Sequence, residues 1–213
     1  MSIHLFKHNQ QAYRAVTAML EKEKMAAVIH PTGTGKSLIA FKLAEENPSK
    51  HFLWLSPSEY IYQTQLEKLN MKFPNIQFMS YSRLMKNEDS IETLHPDYII
   101  LDEFHRCGAQ EWGKSVRKLL DTYPNAKRLG LSATNIRYLD NQRNMAEEIF
   151  DGKIASEMTL GEAIVREILP EPKYVIAMYS YQKELEQLKK RIRTLSNQGL
   201  ITENQKLLEQ LRR

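Results

Sequence analysis

The sequence predicts an α/β fold, a mostly parallel sheet covered by helices on both faces, and three observations lead there. Short, nearly continuous apolar runs recur at AAVIH (26–30), HFLWLS (51–56), IQFMSY (76–81), DYIILDE (97–103) and RLGLSAT (128–134). Amphipathic stretches of helical character, SLIAFKLAEE (37–46) and YIYQTQLEKL (60–69), lie between them. A glycine-rich turn, PTGTGKS at 31–37, follows the first run directly. Strands apolar on both sides and separated by helices are the pattern of a parallel sheet buried on both faces.

Each segment has a reason to be where it is. In PTGTGKS, Gly33 and Gly35 let the backbone curl so that successive N–H groups point inward, and the helix that begins there adds the positive end of its dipole. Lys36 is then placed to reach the β- and γ-phosphates of a nucleotide, and the Ser37 hydroxyl to ligate Mg²⁺. The general phosphate-loop pattern has glycine five residues before Gly35, where this chain has His30. The fourth run ends in Asp102-Glu103-Phe104-His105, which puts two carboxylates at the end of a buried strand, where open α/β sheets bind ligands. Asp102 is placed to hold Mg²⁺ and Glu103 to orient or deprotonate an attacking water.

After Leu160 the character changes. LGEAIVREILPEPKYVIAMYSY reads as a short helix, a break at Pro170 and Pro172, and one more β-like run at Tyr174–Tyr179. Leu185, Leu188, Ile192 and Leu195 then step by three and four along one helical stripe. A turn signal stands at Asn197-Gln198-Gly199, and Leu207, Leu208 and Leu211 resume the stripe, so a helical hairpin is expected. The expected division is an ATP-binding lobe over 1–159, a connector with a further strand over 160–180, and a helical hairpin extension over 181–213 that could dock a partner.

Composition bounds the function classes. The 213 residues suffice for one well-buried α/β core with an appendage. No apolar stretch approaches the length that spans a bilayer, so no membrane partner is expected. The single cysteine, Cys107, excludes an intrachain disulfide framework and suits a reducing compartment, with the cytoplasm as the expected location. A net charge of +4 and a pI near 9.0 are compatible with a polyanionic partner.

The ordered set HPTGTGKS, LDEFH and LSAT (131–134) resembles motifs I, II and III of the superfamily 2 DEAD/DEAH-box helicases, in their DExH variety. It is similar in particular to bacterial restriction-type motor subunits and excision-repair helicases. The resemblance implies a RecA-like ATP-binding lobe, the cofactors ATP and Mg²⁺, and coupling of ATP hydrolysis to movement on nucleic acid. The family tolerates other residues where His30 stands. The implied nucleotide contacts are Thr32, Gly33, Thr34, Gly35, Lys36 and Ser37, with Asp102 and Ser37 at the metal, and Lys36, Asp102, Glu103 and His105 in the catalytic set.

Such helicases carry a glutamine ahead of motif I that reads the adenine edge. In LFKHNQQAY, Asn9 falls at that place, with Gln10 beside it. LSPSEY resembles motif Ia and Ser80-Tyr81 resembles motif Ib, which implies Ser56, Pro57, Ser58, Ser80 and Arg83 as contacts to the backbone of a single strand. The implied partner is single-stranded or duplex nucleic acid, DNA ahead of RNA. Ser132 and Thr134 would couple the nucleotide end of the sheet to the nucleic-acid face through hydroxyl bonds to the 102–105 segment, and Asn135 stands where the family usually has proline. Trp112 is expected to pack, and Cys107 has no assigned chemistry.

The family motor has two lobes, the second bringing an arginine-bearing motif. Nothing after Thr134 matches it, so a second RecA-like lobe is expected beyond the C-terminus, and this chain is expected to be a weak ATPase alone. Two other readings stay open: a P-loop ATPase or kinase of another class, and a non-catalytic module acting through the C-terminal hairpin.

Overall fold

The structure is a computed structural model that describes residues 2–137, 142–173, 181–194 and 205. The chain divides into two compact units, Met1–Glu171 and Pro172–Arg213. In the first, helix α1 (Lys7–Glu23) precedes strand β1 (Met25–Ile29), α2 (Lys36–Glu46), β2 (Phe52–Ser56), α3 (Glu59–Leu69), β3 (Ile76–Ser80) and α4 (Tyr81–Lys86). Then follow β4 (Tyr98–Asp102), α5 (Gln110–Thr122), β5 (Lys127–Ser132), a small antiparallel pair β6 (Ile136–Arg137) and β7 (Arg143–Asn144), α6 (Met145–Phe150), β8 (Ile154–Glu157) and α7 (Leu160–Val165). Of the second unit, the described residues form α8 (Gln182–Thr194). This is the first arm of the expected hairpin. Its turn at 197–199, its second arm and the β-like run at 174–179 lie outside the described residues.

Six strands make one sheet in the order β3-β2-β4-β5-β1-β8, and every pairing in it is parallel. The two-sided burial that explains the continuous apolar runs is visible strand by strand. Ala27 and Ile29 of β1, Leu53 and Leu55 of β2, and Ile99 and Leu101 of β4 pack on one face with Phe104, Phe150 and the buried side of α5. Ala26 and Val28, Phe52 and Trp54, and Tyr98 and Ile100 pack on the other face with α1 and α2. Each fully buried Leu, Ile or Phe contributes roughly 1.5–3 kcal/mol. Gly130 is a packing requirement: a Cβ there would stand 2.4 Å from Phe150 Cζ and 2.9 Å from Phe104 Cδ1.

Helix α1 and strand β8 are among the elements of this sheet and its cover that sequence reasoning misses. Helix α1 buries Asn9, Ala12, Val16 and Leu20, a stripe at helical spacing whose first member is polar. Strand β8 is the short run IASE, only partly buried, which gives no continuous apolar signal. It pairs with β1 at the sheet edge and brings Ser156 beside Val28.

Register sets up the site. Ile29 aligns with Ser132, and Asp102 aligns with Leu131, so β1, β4 and β5 end at one level. The segments leaving those strands, 30–35, 103–105 and 133–135, therefore meet at the carboxyl edge of the sheet, the place where parallel α/β sheets present ligand sites.

Candidate nucleotide-binding site

The loop after β1 is fixed by its own hydrogen bonds. Thr34 donates to the Pro31 carbonyl through both its N–H (3.4 Å) and its Oγ1 (2.8 Å), and the His30 N–H donates to the Ser132 carbonyl at 3.0 Å. Gly33 (φ 92°) and Gly35 (φ 79°) both lie in the left-handed region, and Gly35 is the residue that caps α2. The first N–H groups of α2 have no acceptor within the helix and face the end of the strand layer.

Helix α1 braces this loop from outside. Asn9 is fully buried and its Nδ2 donates to the carbonyls of Thr34 (2.9 Å) and Gly35 (3.3 Å). His8 Nε2–H donates to the same Thr34 carbonyl at 2.8 Å. A Cβ on Gly35 would lie 2.9 Å from the Asn9 amide. Gln10 is turned away, donating to the Leu5 carbonyl at 2.9 Å on the exposed side of the helix. The structure thus brings Asn9 to the loop and leaves Gln10 outside it, while Asn9 Oδ1 is buried without a hydrogen-bond partner.

Lys36 is 7% exposed, and its Nζ donates to the Pro31 carbonyl at 3.3 Å. Burial lowers its pKa, opposed by the Glu103 and Asp102 carboxylates. Asp102 ends β4 almost wholly buried, and burial, then the neighbouring Glu103 charge, raises it to about 7. The Asp102 carbonyl accepts a hydrogen bond from the Tyr81 hydroxyl at 2.9 Å, and the Tyr81 ring stacks on Trp112 with centroids 5.5 Å apart. Tyr81 thereby ties the start of α4 to the end of β4. No sequence pattern marks that tie, because it depends on the order of strands in the sheet.

Glu103 is left-handed at φ 53°, ψ 48°, a conformation that costs a non-glycine residue about 1–2 kcal/mol. The bend turns its carboxylate toward His105, whose Nδ1 stands 3.3 Å from Glu103 Oε2 and 2.8 Å from Ser132 Oγ. Ser132 Oγ gives its own proton to the Thr134 carbonyl at 2.7 Å, so it accepts from His105, which fixes the His105 tautomer with hydrogen on Nδ1. Burial pushes Glu103 up, but the His105 hydrogen bond and the Lys36 charge outweigh it, and its pKa falls below the usual carboxylate range. Ser132 therefore bonds to the 102–105 segment. Thr134 is engaged within its own loop, where its Oγ1 accepts from the Ile136 N–H at 3.1 Å.

A cleft of about 520 Å³ joins these groups, lined by Thr32, Gly33, Gly35, Lys36, Ser37, Asp102 and Glu103 and closed by Leu38, Phe41, Ile61, Gln65 and Leu69 of α2 and α3. A second cleft of about 530 Å³ lies on the far side of His105, between Arg106, Trp112, Thr134, Ile136 and Arg137. Among the described residues no group of three or more His, Cys, Asp or Glu side chains could hold a metal. The Ser37 hydroxyl and the Asp102 carboxylate suit Mg²⁺, which takes one or two protein oxygens and completes its octahedron with phosphate oxygens and water. Buried lysine, helix N–H groups and this oxygen pair together fit a nucleoside triphosphate with Mg²⁺.

The strand-end residues Ser56, Pro57, Ser58, Ser80 and Arg83 sit at the same edge, with Ser56 and Ser80 in register. Ser56 is fully buried and its hydroxyl donates to the Ser58 carbonyl at 3.1 Å. Ser80 Oγ accepts from the Arg83 N–H (3.2 Å) as the cap of α4, and the exposed Arg83 guanidinium lies 3.7 Å from Glu59. Cys107 is buried, and burial raises its thiol to about 12, so it packs and does not react.

His30 is 1% exposed, shares a 2.8 Å hydrogen bond with Ser156 Oγ through Nε2, and has no partner at Nδ1. Burial, reinforced by the His8, Lys36 and Arg166 charges, lowers its pKa to about 4. Between pH 6.5 and 4 the unfolded chain therefore carries a proton here that the folded chain refuses. Stability present above 6.5 is lost as pH falls, by about 3 kcal/mol at the lower end. Urea unfolding across that range is expected to show this loss, and His30→Asn is expected to remove most of it. An unchanged slope in the variant would assign the acid sensitivity elsewhere.

The model of the family "Type III restriction enzyme, res subunit" matches residues 2–75 and 67–137, more than half of the chain. No curated protein matches the chain. Among solved structures, it is similar to an ATP-dependent Type ISP restriction-modification enzyme, LlaBIII, bound to DNA, with a TM-score of 0.59 and 20% identity over 81% of this chain and 16% of that one. It is also similar to the Hef helicase domain of Pyrococcus furiosus, with a TM-score of 0.55 and 17% identity over 86% of this chain and 46% of that one. The DUF1998 helicase MrfA bound to DNA matches with a TM-score of 0.50 and 18% identity over 72% of this chain and 27% of that one. The chain thus spans less than half the length of each of these proteins. With a phosphate loop, a DExH strand end and a Ser-Ala-Thr loop assembled at one edge of a parallel sheet of RecA-like fold, the chain belongs to the family of the type III restriction enzyme res subunit.

Proposed function

We propose that this lobe binds Mg²⁺·ATP in the 520 Å³ cleft and serves a two-lobed motor that moves on or unwinds nucleic acid, with DNA ahead of RNA as its track. The observation that carries this reading is the convergence of Lys36, Ser37, Asp102 and Glu103 on one cleft from two strand ends. Lys36 and the first N–H groups of α2 neutralise the β- and γ-phosphates, while Ser37 and Asp102 would hold Mg²⁺, which supplies charge neutralisation at the phosphates when bound. Glu103, ionised because His105 and Lys36 hold its pKa down, accepts a hydrogen bond from the attacking water and orients it. His105 and Ser132 carry the position of Glu103 to the loop that follows β5.

Pro57, Ser58, Ser80 and Arg83 form the proposed track for a single strand, with Ser56 shaping its turn from inside. Their contacts go to phosphates, so binding by this chain should be weak, indifferent to sequence and lost as salt rises. Fluorescence anisotropy with single-stranded DNA and RNA of several sequences tests this. A strong preference for one sequence that persists at high salt would contradict a phosphate track. A second lobe would supply the rest of the track, and the 181–213 segment, which contains α8, is proposed as a docking arm for a partner.

A further inference from the structure

Helix α3 lines the same cleft as the phosphate loop through Ile61, Gln65 and Leu69, at positions i, i+4 and i+8 of a single helical face. Two members of that stripe are apolar, and they line the cleft together with Leu38 and Phe41 of α2. The middle member is a carboxamide. Gln65 Oε1 is buried and has no hydrogen-bond partner. Buried acceptors are nearly always satisfied, so one left open in a ligand cleft points to a donor that arrives with the ligand.

The other polar groups of the cleft do not supply that donor. Lys36 Nζ donates to the Pro31 carbonyl and not to Gln65, and the Asp102 and Glu103 carboxylates are acceptors once ionised. A phosphate oxygen accepts as well. Water ordered by the phosphates and the metal can donate, and a buried carboxamide oxygen that lines the same cleft as two carboxylates and the phosphate loop is suited to fix it.

We propose that Gln65 is a positioning residue of the nucleotide site, its Oε1 accepting from water ordered by the Mg²⁺·triphosphate. This rests on the nucleotide reading of the cleft. Gln65 acts through that water and not on the phosphorus itself, and it extends the site to a helix outside the three motifs.

The test uses residues 1–213 with Gln65→Leu, which removes the acceptor and completes the apolar stripe, and the nearly isosteric Gln65→Met. Two quantities are measured: the melting temperature of the nucleotide-free chain, and the affinity for ATP by calorimetry with Mg²⁺ and with EDTA. The melting temperature is expected to hold or rise, because an unsatisfied buried acceptor has been removed. The affinity for Mg²⁺·ATP is expected to fall on the order of tenfold, the value of one hydrogen bond in a charged network, while the metal-free affinity stays the same. A purely structural side chain would lower the melting temperature and both affinities together, and that result overturns the proposal. So does an unchanged affinity for Mg²⁺·ATP in both variants. A wild-type chain that binds no nucleotide would instead overturn the reading of the cleft beneath it.

Discussion

Residues 1–213 are expected to bind ATP yet release phosphate very slowly, with little stimulation by single-stranded DNA or RNA. The cleft holds the groups that bind: Lys36, Ser37, Asp102 and the amino end of α2. Hydrolysis also needs positive charge on the far side of the transferred phosphoryl group, and an arginine brought there by a neighbouring lobe contributes on the order of 10³–10⁵ in rate in related P-loop enzymes. Glu103 aligns water but carries the wrong sign to replace that arginine. In a longer chain with both lobes, turnover should rise sharply. There, Glu103→Gln should reduce it by roughly 10²–10⁴ while ATP binding is largely retained, because the amide keeps the shape and loses the base. Steady-state phosphate release by the purified monomer is the assay. Vigorous turnover that follows the monomer through purification would show that one lobe contains a complete site.

The strands were legible because burial on both faces leaves a mark that needs no knowledge of the fold. FLWLS and YIILD are apolar at every position but the last, since alternate residues enter two different cores. The phosphate loop and the Asp102-Glu103 pair were legible because their chemistry dictates residue types at fixed spacing. Helix α1, whose buried stripe begins with a polar residue, was not: Asn9 lies under the phosphate loop, where its amide donates to the Thr34 carbonyl. Strand β8 escaped notice because an edge strand needs no continuous apolar run.

The finer wiring of the site was beyond sequence reasoning for a further reason. The Tyr81 hydroxyl meets the Asp102 carbonyl, and His30 meets Ser156, across separations that only the order β3-β2-β4-β5-β1-β8 brings together. The pairing of Ser132 with His105 follows from register in the same way, whereas the Thr134 hydroxyl is bonded within its own loop, accepting from the Ile136 N–H.

Lys36→Ala is expected to abolish nucleotide binding without unfolding the lobe. The lysine is buried beside two carboxylates at a helix amino end, a position that serves an anion and costs the folded chain desolvation when none is bound. Removing it deletes the buried cation that the proposed nucleotide site places against the phosphates. Charge-assisted hydrogen bonds to two phosphate groups are lost, which amounts to roughly 10²-fold or more in affinity. The neighbouring side chains pack through the sheet and not through Lys36, so circular dichroism and the unfolding midpoint should remain close to wild type. The direct test is titration calorimetry of Mg²⁺·ATP into residues 1–213 and into Lys36→Ala, side by side. Saturable one-site binding by the wild type with none detectable in the variant is the expected result, and equal affinity in the two proteins would contradict the assignment of this cleft as the nucleotide site.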